Sequence, residues 1–353
     1  MTDLHTRPHH LPQLAAFLAA GVSGARARLE EFYLMMADGG EASFAFGSKI
    51  AAVNAVLDTI DSGSRVLVWA DPMAPVSRHF DTIRTRTTGV TFDPVDLSDP
   101  NQLSTLVCDN SRLLWLEPPI GLQRRIPNLQ ALIDCARGHD LRIIVDNTAA
   151  GLSCYQPLGL GADMMLLGGD EAAPVAVVTA NQPYLMFARE RLRFFRDHGG
   201  AGAADAAAYG TLQALVDAGL RAAQKSATAT ALATALASHP AVRRVNYPGL
   251  PSHPDHHLLQ RDWQAADGKL TVLLDRDLAA TTAVVAHLQA AGLATAAAPG
   301  FLTQIDHLAA GRQQIPAPVR AEMGLDDGLL VITVGLEPAA QICAAVDRAL
   351  AAE

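Results

Sequence analysis

Short apolar runs alternate with helical stretches through most of the chain, and this alternation restricts the fold more than any other feature. The runs cover residues 65–70, 113–116, 142–145, 164–167 and 175–178, and helical patterns such as 126–136 separate some of them. Short continuous apolar runs are typical of strands that are buried on both faces. We therefore predict an α/β fold in which helices cover both faces of a mostly parallel sheet.

Carboxylates follow or end several of these runs: Asp71, Glu117, Asp146 and Asp170. In open parallel sheets the ligand lies beyond the carboxyl ends of the strands. The sequence therefore predicts a polar pocket at that edge of the sheet.

The second half of the chain has a different pattern. An alanine-rich helix is predicted over residues 204–235, followed by a smaller α+β domain with strands at 269–274 and 329–334 and a last helix at 339–351. We predict an N-terminal segment of residues 1–40, a large domain of residues 41–230 and a small C-terminal domain of residues 231–353.

Composition excludes several classes of protein. The chain of 353 residues carries a formal net charge of −9, which argues against a nucleic-acid partner. No apolar run has the roughly 18 residues that a membrane helix needs. The polar start of the chain differs from a signal peptide, and the four cysteines lack metal or disulfide spacing, so we expect a cytoplasmic protein with reduced thiols.

Several longer motifs carry a family resemblance. The chain reads VDNT at 145–148, PLGLGAD at 157–163, HPAV at 239–242, YPGLPSHP at 247–254 and TVGLE at 333–337. Together these motifs resemble the Cys/Met-metabolism family of pyridoxal-phosphate (PLP) enzymes, the cystathionine synthases and lyases. The resemblance covers most of the chain. It implies that the large domain has the type I fold of PLP-dependent transferases, which is similar to aspartate aminotransferase.

The resemblance also implies that a central residue of the family is missing. In the family, the strand after the PL-x-LGAD motif ends in the lysine that carries PLP as a Schiff base, and Glu171 stands at that position here. A carboxylate cannot form an imine, so aldimine catalysis is expected to be absent and no catalytic residue is assigned. The chain has lysines only at 49, 225 and 269. Lys225 and Lys269 are expected to lie away from the pocket, and Lys49 on its phosphate side.

The positions that match the family's cofactor contacts are Ser48, Lys49, Ile50, Met73, Asp146 and Asp170. Asp146 matches the aspartate that pairs with the pyridine nitrogen and keeps it protonated. Ser48 remains from the phosphate-binding turn, whereas Lys49 and Ile50 replace its glycine and methionine.

Other matched positions have changed their chemistry. Met73 replaces the tyrosine that stacks on the ring, and Gly168 and Asp170 replace hydroxyl residues. The family's asparagine and its substrate-binding arginine fall on Gly121 and Val331. Covalent PLP binding is therefore not expected.

Asp170 and Glu171 would place two carboxylates in a partly dry pocket, and such a pair needs a cation. We therefore expect Lys49 within about 4 Å of Asp170 or Glu171. The alternative is that the loops have relaxed outward and all three side chains are solvated.

Three functions agree with this pattern. The first is a non-catalytic homologue that acts as a structural or regulatory partner of an active PLP enzyme. The second is a sulfur amino-acid lyase or synthase that uses PLP without a covalent bond. The third is a protein whose old pocket binds another ligand through Asp146, Asp170 and Glu171.

We expect a homodimer or higher oligomer, or a hetero-oligomer with an active relative. Phe32, Tyr33, Met35 and Met36 are candidates for that interface or for an intramolecular core. No metal site is expected, because the histidines at 9–10 and 253–257 are typical of polar surface positions.

Overall fold

The computed structural model describes residues 10–70, 75–168, 173–293 and 300–352. The chain divides into two compact units. The first runs to Gly121 and continues over Arg125–Gly219 and Arg261–Gln264, and the second contains Leu122–Arg124, Leu220–Gln260 and the chain from Ala265 onward. The predicted division at residues 40 and 230 stays a prediction.

In the described part of the first unit, seven strands form one sheet in the order β1-β7-β6-β5-β4-β2-β3. They are β1 (Gly40–Phe46), β2 (Arg65–Trp69), β3 (Thr91–Pro94), β4 (Ser111–Leu116), β5 (Arg142–Asp146), β6 (Met164–Gly168) and β7 (Val175–Ala180). The pairs from β6 through β5, β4 and β2 to β3 are parallel, and β7 pairs antiparallel with β6 and β1. The predicted α/β fold with a mostly parallel sheet is confirmed.

In chain order, two helices of the first unit precede β1, two follow β7, and the others lie between consecutive strands. They are α1 (Leu11–Ala19), α2 (Ala25–Met36), α3 (Lys49–Leu57), α4 (Pro75–His79), α5 (Thr85–Thr88), α6 (Leu103–Leu106), α7 (Leu129–Ala136), α8 (Met186–Asp197) and α9 (Asp205–Leu215). A π-helical segment (Phe80–Arg84) joins α4 to α5, and short 3-10 turns lie at Pro100–Gln102 and Pro183–Leu185.

The sheet forms the core of this unit. Consecutive residues of β4 from Leu113 to Leu116 are each 0% exposed, and every residue of β7 is buried. A strand whose successive side chains are all buried is covered on both faces, as its continuous apolar run predicts. Leu116 pairs with Val145, so Glu117 after β4 and Asp146 at the end of β5 reach the same edge of the sheet.

The second unit contains an antiparallel sheet in the order β10-β11-β9-β8. Its strands are β8 (Val242–Asn246), β9 (Lys269–Leu274), β10 (Gln304–His307) and β11 (Leu329–Thr333). The later helices are α10 (Ala218–Ala237), α11 (His256–Asp262), α12 (Leu278–Ala290), α13 (Ala317–Glu322) and α14 (Ala339–Ala351), with a 3-10 turn at Ala310–Arg312. The predicted strands at 269–274 and 329–334 and the last helix are confirmed, to within one residue.

Two local predictions need correction. The single helix predicted over 204–235 is two helices, because α9 ends at Leu215 and α10 begins at Ala218. Asp217 favours a helix N-cap over a helix interior, and Gly219 lowers helix propensity. The helix predicted from residue 126 begins at Leu129 instead, where the side chain of Asn128 caps it by accepting from Ala131 N.

The four residues of α2 that were candidates for an interface differ in how deeply their side chains are buried. Phe32 and Tyr33 are buried within the chain, at 5% and 4% exposure, so an intramolecular core accounts for them. Met35 and Met36 are half-buried. Within the described residues, no helix is long and apolar enough to cross a membrane.

Candidate functional site

The candidate site lies where α3 begins and where β4 and β5 end. Ser48 caps α3, since its hydroxyl accepts from Ala51 N at 3.2 Å. Lys49 is therefore the first helical residue. Glu117 follows β4, and Asp146 is the last residue of β5.

The ammonium of Lys49 lies between the two carboxylates. Its Nζ donates to Glu117 Oε1 at 2.9 Å. It also lies 2.9 Å from Asp146 Oδ2, as an ion pair without the angle of a hydrogen bond. The Asp146 side chain is 0% exposed, whereas those of Lys49 and Glu117 are 18% and 15% exposed. Lys49 thus supplies the counter-charge of a fully buried aspartate.

Thr148 closes this network on the other side of Asp146. Its hydroxyl accepts from Lys49 Nζ at 3.1 Å and donates to Asp146 Oδ1 at 2.6 Å. The backbone N–H of Thr148 donates to the same oxygen at 3.2 Å. Both oxygens of Asp146 are therefore engaged by this chain's own residues.

Electrostatics keep Lys49 charged. Burial by itself lowers the pKa of the ammonium, but the charges of Asp146 and Glu117 and the hydrogen bond to Glu117 outweigh burial, so the pKa is raised above that of an ordinary lysine. A cation in the first turn of a helix also opposes the helix dipole. The two carboxylates offset this cost, which explains why a lysine is stable at the N-terminus of α3.

The structure brings together only part of the predicted site. Ser48, Lys49 and Ile50 lie at the start of α3, all half-buried, and Asp146 lies opposite. Met73, Asp170 and Glu171 lie outside the described residues, so the predicted pairing of Lys49 with Asp170 or Glu171 stays a prediction. The family pattern places Lys49 on the phosphate side of the pocket. Its ammonium instead extends to Asp146, the match for the ring-nitrogen partner.

Glu117 was expected at this edge of the sheet but was given no role in the site, and Thr148 was missed. Glu117 follows a predicted strand and Thr148 belongs to the VDNT motif, so their positions at the carboxyl edge of the sheet were the available signal. Within residues 10–70, 75–168, 173–293 and 300–352, no group of three or more His, Cys, Asp or Glu side chains is arranged to hold a metal ion.

PLP, the cofactor implied by the resemblance, does not fit the residues as they stand. A protonated ring nitrogen bonded to Asp146 would be a second cation beside the Lys49 ammonium. Two such charges at about 4 Å repel by about 4 kcal/mol at an effective dielectric near 20. The Lys49 ammonium therefore weakens any bond between such a ring and Asp146 for as long as it stays beside this carboxylate.

Gly168, at the end of β6, is a second position where the residues can be compared with those of a PLP site. The resemblance matches this glycine to one of the hydroxyl residues that the family has near the phosphate. A Cβ at this position would lie 2.9 Å from the carbonyl oxygen of Pro174 and 2.7 Å from Val175 Cγ2. Real Cβ atoms do not approach so closely, so a serine could stand here only after the backbone shifted.

Comparisons with known proteins agree with the fold and the motifs. The model of the Cys/Met metabolism PLP-dependent enzymes matches residues 25–351. A cystathionine beta-lyase from Coxiella burnetii is 31% identical over 309 residues, which cover 85% of this chain and 79% of the relative. A cystathionine gamma-synthase from Mycobacterium bovis is 30% identical over 338 residues, or 92% of this chain and 84% of the relative. A cystathionine gamma-lyase from Bos taurus is 28% identical over 324 residues, or 89% and 78%. The chain therefore belongs to the Cys/Met metabolism family of PLP-dependent enzymes.

Proposed function

We propose that the protein is a member of the trans-sulfuration enzymes that has lost aldimine catalysis and acts as a non-catalytic partner or regulatory subunit. One observation carries the proposal: the Lys49 ammonium lies 2.9 Å from Asp146 Oδ2. PLP chemistry depends on a carboxylate that keeps the ring nitrogen protonated, so that the ring can accept electrons. In this chain the matching carboxylate already has a cation.

The sequence supports the same conclusion at other positions. Glu171 occupies the position of the Schiff-base lysine, and Val331 occupies that of the arginine that binds the substrate carboxylate. Val331 lies in β11 and is 6% exposed. Since catalysis needs cofactor and substrate held together in one reactive geometry, the loss of several contacts is not repaired at one of them.

Turnover is expected to be undetectable both in the natural protein and in Glu171→Lys. The variant regains an amine at position 171 but keeps the Lys49–Asp146 pair and Val331. Each protein is incubated with PLP, assayed with cystathionine and with an activated homoserine, then reduced with borohydride and weighed by mass spectrometry. Glu171→Gln is the matched control for the change at this position. A stoichiometric PLP adduct on Lys49, or turnover by either protein, contradicts the proposal.

An exposed aromatic surface supports the partner role. Phe187 and Phe194 of α8 are 72% and 57% exposed, and their spacing of two helical turns places them on one face of the helix. Tyr184 and Met186 nearby are also exposed. Exposed apolar patches of this kind mark interaction sites. We assign this face to a second subunit of the same fold.

Sedimentation is expected to show at least a dimer at micromolar concentration. The double variant Phe187→Ser, Phe194→Ser should shift the protein toward the monomer, because it removes apolar area from the proposed contact. Ile83→Ser is the control, since Ile83 is 50% exposed but lies in the π-helical segment. A natural protein that is a stable monomer, and that captures no active relative, rules out the partner role.

A further inference from the structure

Lys49 occupies an unusual position for a lysine. It begins a helix, against the dipole, and its side chain extends to a carboxylate that is fully buried. A buried aspartate without a counter-charge is strongly destabilising. The Lys49 ammonium therefore offsets the free-energy cost of burying the Asp146 carboxylate.

We propose that Lys49 is a built-in replacement for a cationic ligand at Asp146, and that the site takes up a small primary ammonium ion when the Lys49 side chain is shortened. The lysine supplies the positive charge that this carboxylate would otherwise take from a bound ring, and its N–H groups donate to Glu117 and Thr148. The protein thus folds with a cation of its own already beside Asp146. This inference rests on the proposed function and adds the chemical group that replaces the cofactor.

The geometry defines the ligand. The ammonium has two carboxylate neighbours at 2.9 Å and a hydroxyl acceptor at 3.1 Å. The ligand therefore needs one positive charge and several N–H donors. A cation without N–H groups meets the charge requirement only. The Lys49 side chain is 18% exposed, so truncation leaves a space that opens to solvent and that a small ion can enter.

The test is chemical rescue of Lys49→Ala by propylammonium, which reproduces the side-chain atoms that the truncation removes. The variant should melt at a lower temperature than the natural protein, and propylammonium should raise its Tm. A Kd of about 10 mM gives a rise of roughly 2 °C at 100 mM ligand in a chain of 353 residues. Tetramethylammonium at the same ionic strength has the charge without N–H donors and should give no comparable rise.

Two further variants show where the ion acts. Lys225→Ala removes a lysine from α10, and its Tm should not respond to propylammonium. Lys49→Ala combined with Asp146→Asn removes the carboxylate that the ion would neutralise, so the response should be lost there as well. A rise in Lys49→Ala alone supports the proposal. Equal responses to both cations, or in all variants, overturn it.

Refolding covers the case in which Lys49→Ala is not recovered as folded protein. The variant is then diluted from urea into buffer with propylammonium or with tetramethylammonium. A higher folded yield with propylammonium supports the proposal, and an equal yield overturns it. Turnover by the natural protein would contradict the proposed function, whereas these rescue results depend only on the cation site, so the two failures can be told apart.

Discussion

Lys49→Met is expected to lower the free energy of unfolding by about 3 to 5 kcal/mol, because it leaves the fully buried Asp146 without its cation. In a chain of 353 residues such a loss lowers Tm by roughly 4 to 7 °C. Methionine keeps most of the length and the apolar stem of lysine, so the loss reports the charge rather than a cavity. Urea and thermal denaturation at neutral pH measure it.

Variants with matched charge provide the controls. Lys49→Arg keeps a cation and should lose clearly less stability than Lys49→Met. Adding Asp146→Asn to Lys49→Met should recover part of the loss, since removing both charges of a buried pair is less costly than removing one. If the two losses simply add, Lys49 and Asp146 are not coupled and the pair does not have the assigned role.

The pKa of Lys49 sets the pH range of this effect. A group whose pKa is raised on folding contributes its full stability below its unfolded pKa, and the contribution is lost as pH rises through the folded pKa. The pKa of Lys49 is raised above that of an ordinary lysine, about 10.4. The stability difference between the natural protein and Lys49→Met should therefore not shrink between pH 6 and 9. Shrinkage within that range would show that Lys49 titrates there.

Arg124→Met is expected to destabilise the second unit by a similar amount, about 3 to 5 kcal/mol. Arg124 forms an ion pair with Asp267, and the two side chains are only 5% and 7% exposed. Removing the guanidinium leaves the Asp267 carboxylate buried beside an apolar side chain. Thermal denaturation should show a lower melting transition.

Substitutions of Asp267, the ion-pair partner of Arg124, and of an exposed ion pair are the controls for this second prediction. Arg124→Met with Asp267→Leu should recover much of the loss, because a well-packed apolar pair can replace a buried ion pair. Arg243→Met is the surface control. Arg243 pairs with Asp275, but both side chains are more than 60% exposed, so the loss should stay below about 1 kcal/mol. Equal losses at Arg124 and Arg243 would contradict the role of burial.

The strands of the first unit were predictable because each needs only a local pattern. Residues 113–116 and 175–178 are continuous apolar runs, and a strand covered on both faces requires that composition. The break between α9 and α10 was less predictable. Alanine-rich sequence favours helix on both sides of residues 216–217, and Asp217 and Gly219 are weak local signals against that background.

The candidate site was predictable by position but not by pairing. Asp146 and Glu117 were expected at one edge of the sheet, because both end buried strands. The sequence suggested Lys49 as a cation for Asp170 or Glu171, which lie outside the described residues, so that pairing stays a prediction. The structure places the Lys49 ammonium against Asp146 and Glu117, a contact that was not predicted. Which carboxylate a lysine reaches depends on the direction of α3 and the rotamer of a long side chain, and neither leaves a pattern in the sequence.

The sequence by itself determined the α/β fold, the family and the absence of a lysine at position 171. Apolar periodicity and sequence motifs are local, and a carboxylate such as that of Glu171 cannot form an imine. Only the tertiary structure decided that Asp146 already has a cation. Lys49 and Asp146 are far apart in the chain, and their ion pair forms only after β5 and the start of α3 reach the same edge of the sheet.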